Sequence, residues 1–383
     1  MSQCKQCNKQ LSWSDKPVKF CPECGAKIIE VKEHSVTKKE FDFLIFIGKM
    51  KPPHRPHIAI IEHALKKADK VIVFFGSSFQ PRTPKIPWTW EETATMVRAC
   101  IDVKDQQRLI LDGLRDYIYN NQTWAKQVQD KVHNIVSMQT RFGDNKNLRI
   151  GIIGHKKDNT SFYLDMFPQW EFVSVDNMSD INASDVREHL FNSELDFTDM
   201  YDNLPPRVAS YIEGWRLCED YKYLVQEYEY LNNYKKAWDN APYPPTFTTA
   251  DAIVVQSGHI LMVKRRAAPG RGLWALPGGF VNTNETFREA VLRELREETK
   301  IKVPYPVLNG SIISEKVFDA PNRSLRGRTV TVGFHIELPS GDLPKVKGAD
   351  DAEKAMWMPL SEIYKQSELL FEDHLDIINY FTG

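Results

Sequence analysis

A helix with acids on one sector of its surface and an apolar stripe on the opposite sector must bury the second and present the first. Residues 279–301, GFVNTNETFREAVLRELREETKI, encode such a helix. Gly279 is followed after five residues by Glu285, and Glu285 after seven by the run Arg293-Glu294-Leu295-Arg296-Glu297-Glu298. With the helix begun near Asn284, Glu294 lies three and four residues from Glu297 and Glu298, so the three carboxylates share one face. Phe287, Val291 and Leu295 recur every four residues on the other and predict packing against a sheet. An acidic edge on a packed helix suits magnesium or manganese, hard cations that take oxygen ligands and bridge them to phosphates.

This pattern, with Leu276-Pro277-Gly278-Gly279 before it, resembles the Nudix box, the signature of hydrolases that cut a diphosphate linked to a nucleoside. The resemblance implies that Glu294, Glu297 and Glu298 are the Mg2+ or Mn2+ ligands, that Gly279 shapes the turn beside them, and that Glu285 supports Arg293. The fixed spacing argues against a merely solvated acidic helix. One position departs: Lys300 stands where the pattern has glycine. A non-glycine residue in a left-handed helix cap costs roughly 1 kcal/mol, which the activity should survive.

A chain of 383 residues, 42% hydrophobic and 26% charged, predicts two or three globular domains. A formal net charge of -1 gives no overall attraction to nucleic acid or to a membrane surface. The start, MSQCKQCNKQ, has no apolar signal core, and no later stretch approaches the ~18 apolar residues of a span, so a soluble, cytoplasmic protein is expected.

Four of the six cysteines form two CxxC pairs, Cys4/Cys7 and Cys21/Cys24, separated by thirteen residues. Four thiolates so spaced predict one structural Zn2+ in a small zinc ribbon over residues 1–35, with disulfides as the alternative. So short a segment builds little core, and zinc would supply most of its folding energy. Lys5, Lys9, Lys16, Lys19 and Lys27 suit either contact with a nucleic acid or protein partner or plain solubility. Cys100 and Cys218 are isolated and read as buried small hydrophobes.

Residues 40–239 read as a second domain. The apolar run 41–47 feeds GKMKPPHRPH, then a helical pattern over 58–68 and a second apolar run ending at Phe75. Strand, loop, helix, strand within some 40 residues is a parallel βαβ unit, and ligands bind where such strands end. His54 and His57, at the mouth of the helix beside Lys49 and Lys51, suit a phosphate chain. A later strand, 148–153, ends in Gly154-His155-Lys-Lys-Asp158 and repeats that logic.

GKMKPPHRPH is similar to the G-R-F-x-P-x-H-x-G-H motif of the nucleotidyltransferase superfamily. Segments 82–89, 154–163, 167–170 and 181–187 resemble, in order, motifs of the nicotinamide mononucleotide (NMN) adenylyltransferases, which in bifunctional bacterial and phage members precede a Nudix domain. The resemblance covers residues 40–383 and implies an α/β fold: a Rossmann-like nucleotidyltransferase domain, then an α/β/α Nudix domain. It implies that His54 and His57 hold the phosphates of ATP, that Lys49 replaces an arginine, and that Arg187 grips the β and γ phosphates. Trp170 would stack on the nicotinamide ring, and Lys85, His155 and Asp158 would contact NMN or ATP. Taken singly, His155 also suits a hydrogen-bonded strand end, and Trp170 a core residue. Pro56 replaces the second glycine and offers no N–H to phosphate, though it fits a first helical turn. Thr93 stands where the pattern has an arginine after glutamate.

The aromatic-rich segment 205–238 is helical in pattern, and Asn240 to Pro245, with three prolines, reads as a linker. The third domain, 246–383, opens with a hairpin turning at Ser257-Gly258 and ends in a helix over 372–381. Between them, Arg323, Arg326 and Arg328 sit in a segment that resembles the ADP-ribose pyrophosphatase branch of the Nudix proteins, which implies contact with substrate. Three guanidiniums in six residues beside the acidic helix also suit a phosphate or ribose by their paired donors, the alternative being a solvated surface loop. Asp350, Asp351 and Glu353 suit either the general base or an ordinary acidic turn.

The chain is therefore expected to be a bifunctional enzyme that joins ATP and NMN into NAD and hydrolyses ADP-ribose to AMP and ribose 5-phosphate, as a homo-oligomer. The alternative is a nucleotide-sensing protein with a weakened transferase domain, which would not need the intact acid set. Elemental analysis should find one zinc per chain, and Cys21→Ser should abolish it; a zinc-free wild type would leave the disulfide alternative.

Overall fold

The computed structural model describes residues 39–140, 148–155, 159–175 and 182–383, together with 2–3 and 10–11. Cys4, Cys7, Cys21, Cys24 and Asp158 lie outside the described residues, as does the ribbon they were expected to form. Two compact units are distinguished, Met1–Lys39 and Glu40–Gly383. In the first, Ser2–Gln3 pairs antiparallel with Gln10–Leu11.

The second unit contains two sheets. In the first sheet five parallel strands run in the spatial order Leu109–Gly113, Ala68–Phe75, Phe41–Gly48, Ile150–Gly154, Glu171–Ser174. The run of apolar residues in Phe41–Gly48 is explained by burial on both faces. Leu44 and Phe46 pack with Ile58, Ile61 and Leu65 of the helix Arg55–Lys67. Phe43, Ile45 and Ile47 face the other way, toward Val128 and Val132 of the helix Asn121–Gln139. Strand order reverses beside Phe41–Gly48, and at such a switch point the loops leaving two neighbouring strands diverge and open a crevice. The loop after Gly48 and His155, which follows Gly154, lie at these strand ends.

The second sheet is mixed. Its main path runs Trp274–Ala275, His259–Arg265, Thr246–Gln256, Arg328–Glu337, Ile312–Phe318, with Gly278–Phe280 added to Thr246–Gln256 and Ala352–Pro359 to His259–Arg265. The helix Phe287–Thr299 covers one face, where Val291 and Leu295 meet Ala250, Ala252 and Val254. The helix His374–Thr382 covers the other, with Leu375, Ile377 and Ile378 against Ile253 and Ile260. This is the α/β/α arrangement predicted.

Several boundaries differ from expectation. The acidic helix starts after Thr286, whose side chain accepts from Glu289 N while Glu289 accepts from Thr286 N, rather than near Asn284. Residues 282–285 form a turn instead, closed by Asn282 N donating to Glu285 Oε1 at 2.9 Å. Lys300 does adopt the left-handed conformation, at φ 46°. The segment 205–238 breaks into Pro206–Trp215 and Glu219–Lys236.

Hydrogen bonds join the two halves of this unit. Tyr119 Oη donates to Asp373 Oδ2 at 2.6 Å, Tyr223 Oη to Arg271 O at 3.3 Å, and Gly270 N to Glu227 Oε2 at 2.9 Å. Beside them Asp376 faces Arg115, Asp116 and Asp373, and burial pushes its carboxyl from 3.8 up to about 6, Arg115 opposing. A carboxyl raised on folding contributes stability that is complete below its unfolded pKa and lost as pH rises through its folded value. Asp376→Asn should therefore raise Tm by roughly 2 °C at pH 7.5 relative to wild type, with the gain gone at pH 4; thermal melts across that range provide the check.

Candidate active sites

His54 and His57 bracket the N-terminus of Arg55–Lys67, the first as its cap residue. Their rings lie 3.7 Å apart between centroids, tilted by 31°. His54 N donates to His57 Nδ1 at 3.3 Å, so the neutral His57 ring keeps its proton on Nε2. Burial, helped by His54, holds His57 well below the usual histidine range. It is thus a neutral donor beside the positive end of a helix, where an anion is favoured. Pro56 falls in the first turn and leaves the helix intact, as its missing N–H has no intrahelical partner there.

Arg187, on the helix Ala183–Phe191, reaches the same loop: its Nη1 donates to Lys51 O at 2.7 Å and its Nη2 to Ser184 Oγ at 3.0 Å. Lys49 is largely exposed, with Nζ 3.7 Å from Asp116 Oδ2. Asp116 is itself held by Ser77 N at 3.1 Å and Ser77 Oγ at 2.6 Å. The Lys85 ammonium is lowered by desolvation and by the charges of Lys49 and Arg187, which assigns it to the same electropositive zone. Across the switch point His155 Nδ1 donates to Val175 O at 3.0 Å. Trp170 stacks on Phe167 at 4.8 Å, partly buried at the end of a core cluster.

Lys51, noted in sequence only as a neighbouring charge, proves to be buried, at 2% exposure. Its Nζ donates to Trp88 O at 2.7 Å, Thr89 O at 3.0 Å and Thr93 Oγ1 at 3.0 Å. Burial lowers its pKa to about 7, against the pull of Glu92 and Glu91. No periodicity could have found it; an ammonium on a Pro-flanked loop reads as solvated until the opposing helix is placed.

In the second half, Arg293 organises the acids. It pairs with both oxygens of Glu285 at 2.6 and 3.0 Å, with Glu294 at 2.8 Å and with Glu297 at 3.0 Å. Bonding to Arg293 lowers Glu285 to about 2. Glu298 instead turns inward, its Oε2 accepting from Gly278 N at 3.0 Å. Among the described residues no cluster of three acidic, histidine or cysteine side chains is ready-made for an ion. The shared acidic edge expected from spacing is thus divided, because carboxylates repel and one guanidinium draws Glu294 and Glu297 to itself.

The donor set still fits a hard divalent cation. Burial raises Glu298 to about 8 and also raises Glu294, the mark of carboxylates short of positive charge. Gly279 leaves the space: a Cβ there would lie 2.6 Å from Glu294 Oε1. Of the three late acids, Asp350 is the one whose charge acts on Glu294, while Asp351 acts on Arg265.

The arginine loop separates into unlike parts. Arg323 is buried and donates from Nε and Nη2 to both oxygens of Asp373 at 2.8 and 2.7 Å, so that edge of its guanidinium is taken by this carboxylate. Arg326 lies over Phe280 at 5.2 Å and 3.8 Å from Glu372. Arg328 is partly exposed, bonded to Asp319 O.

A doubly wound sheet with basic and imidazole groups at its switch point, joined to a mixed sheet carrying an acidic helix beside Gly279, defines a nucleotidyltransferase coupled to a Nudix-type hydrolase. The comparisons agree: residues 45–189 match the cytidylyltransferase-like family and residues 245–381 the NUDIX domain. A nicotinamide/nicotinic acid mononucleotide adenylyltransferase from Acinetobacter baylyi is 30% identical over 190 residues, 49% of this chain and 94% of that one. An ADP-ribose pyrophosphatase from Methanocaldococcus jannaschii is 37% identical over 128 residues, 33% of this chain and 68% of that one. A crystal structure of a bifunctional NMN adenylyltransferase/ADP ribose pyrophosphatase from Francisella tularensis, complexed with AMP and a manganese ion, matches with a TM-score of 0.80 at 33% identity, covering 89% of this chain and 98% of that one. The chain belongs to the family of bifunctional NMN adenylyltransferase/ADP-ribose pyrophosphatases.

Gly279→Ala should displace the Glu294 carboxylate and weaken Mn2+ binding roughly 10- to 100-fold, with the fold preserved. Titration of Mn2+ followed by electron paramagnetic resonance reads this directly; unchanged affinity would remove Glu294 from the cation site.

Proposed function

We propose that this chain makes NAD at one site and hydrolyses ADP-ribose at another. At the first, the 5'-phosphate of NMN attacks the α-phosphate of ATP and pyrophosphate leaves. At the second, water cleaves the diphosphate of ADP-ribose to give AMP and ribose 5-phosphate. The observation that carries this reading is the overlap with the Francisella enzyme across 89% of the chain, both halves together. A sensor would not need the acid set, which is complete, so the enzyme reading is favoured.

Adenylyl transfer needs no covalent intermediate and no protein base; positioning and charge neutralisation carry it. His57 Nε2–H donates to the phosphates at the helix N-terminus, and His54 lines the same approach. Arg187 takes the leaving pyrophosphate, and Lys49, released from its exposed pairing with Asp116, adds charge without a bidentate fork. Lys85, His155, Asp158 and Trp170 are assigned to the NMN and adenine ends.

At the hydrolase site Mg2+ or Mn2+, held by Glu294, Glu297 and Glu298, would neutralise the diphosphate charge. Arg293 keeps Glu294 and Glu297 oriented, with Glu285 as its anchor. Arg326 and Arg328 hold phosphate or ribose, while Arg323 braces the loop through Asp373. Asp350 takes the proton of the attacking water.

The proposed domains are residues 1–35, 40–239 and 246–383, the first a zinc ribbon on Cys4, Cys7, Cys21 and Cys24 that contacts nucleic acid or protein. Among the described residues no helix is long and apolar enough to cross a membrane. A cytoplasmic homo-oligomer completes the proposal.

Product chromatography tests the division of labour. His57→Ala should lose NAD formation by roughly 100-fold and keep ADP-ribose hydrolysis, and Glu298→Gln should do the reverse. Wild type silent in both reactions would return the sensor reading; loss of both activities in either variant would contradict two independent sites.

A further inference from the structure

Three segments converge on Lys51. It belongs to the loop between Gly48 and His54, its side chain enters the start of the helix Trp90–Cys100, and its carbonyl accepts from Arg187. An ammonium has three hydrogens, and the two carbonyls and one hydroxyl take all three. None remains for a phosphate. Removing an ammonium from water is costly, and methionine would fill similar space without that cost. Packing alone therefore does not explain a lysine here.

Its partners define what the cost secures. Thr89 caps the Trp90–Cys100 helix, accepting from Glu92 N, and Glu92 in turn pairs with Arg82. Trp88 is buried against Trp215, in the cluster that also takes Val186 and Leu190 of the Arg187 helix. The Lys51 side chain thus grips a capped and braced turn, and its carbonyl passes that position to a guanidinium. Thr93, the residue that departs from the family's pattern, receives from Lys51 the hydrogen bond of a cation it does not itself carry.

We propose that Lys51 is a positioning residue for adenylyl transfer, fixing the phosphate loop to the Trp90–Cys100 helix so that its own carbonyl sets Arg187 against the leaving pyrophosphate. This rests on the NAD-forming activity proposed above. Lys51 touches no reacting atom; it acts through Arg187. Arginine at this position retains a cation and donors, whereas methionine retains only the bulk.

The test measures NAD formation from ATP and NMN by the full chain, with ADP-ribose hydrolysis by the same preparation reporting that the protein is folded. Lys51→Met should lower kcat for NAD formation at least tenfold, change KM for NMN less than threefold and leave hydrolysis unchanged; Lys51→Arg should recover part of the loss. In an Arg187→Met background, adding Lys51→Met should cost less than a further twofold, because the two residues act as one unit. Full additivity of the two losses, or a Lys51→Met enzyme with wild-type kcat, overturns the proposal. If Lys51→Met does not fold, Thr93→Val serves in its place and should lose a smaller share of kcat, again non-additively with Arg187→Met; additive losses overturn the proposal there too. A wild type that forms no NAD at all refutes the underlying activity instead, and is told apart by that result.

Discussion

Taking a charge out of water is the constraint to which both halves of this molecule respond. A group that must act on a phosphate chain gains strength from a dry setting, yet it can occupy one only when neighbouring dipoles or charges replace its lost hydration. Lys51 is compensated by carbonyls and a hydroxyl, and Arg323 by both oxygens of Asp373. His57 meets the same demand by staying neutral.

The exceptions are informative. Glu298 accepts from one backbone N–H, and Glu294 shares one guanidinium with two other carboxylates. Burial raises both above the ordinary carboxylate range, and a divalent cation at these acids would offset that cost. Asp373 shows the opposite economy: one carboxylate serves Arg323 and also the Tyr119 hydroxyl of the other half. The hydrolase loop and the transferase domain thereby share a buried anchor, so the arginine loop is shaped partly by a residue more than two hundred positions away in sequence.

Legibility from sequence followed the range of the interaction. The doubly wound sheet could be read from alternating apolar runs, because burial on both faces of a parallel strand leaves a continuous apolar signature. The support of Arg293 by Glu285 was implied by the resemblance to the Nudix box, and eight residues of turn and helix bring the two together. The left-handed turn at Lys300 was legible through the resemblance, because the Nudix box has glycine at that cap. Arg323, Arg326 and Arg328 could not be told apart in this way. Their fates depend on Asp373, Phe280 and Asp319, whose nearness is decided by the approach of other elements.

The amino-acid order by itself determined which helices and strands form and which of their faces turn inward, because propensity and periodicity act over one or two turns; that two phosphate-directed motifs share the chain was legible through their resemblance to known families. Tertiary structure alone decided which partner each charge meets: Lys51 the carbonyls of Trp88 and Thr89, Arg323 the Asp373 carboxylate, Arg187 the Lys51 carbonyl and Arg326 the Phe280 ring. The physical reason is that a charge's state depends on the solvent and partners around it, and those are supplied by segments brought together only when the sheets close.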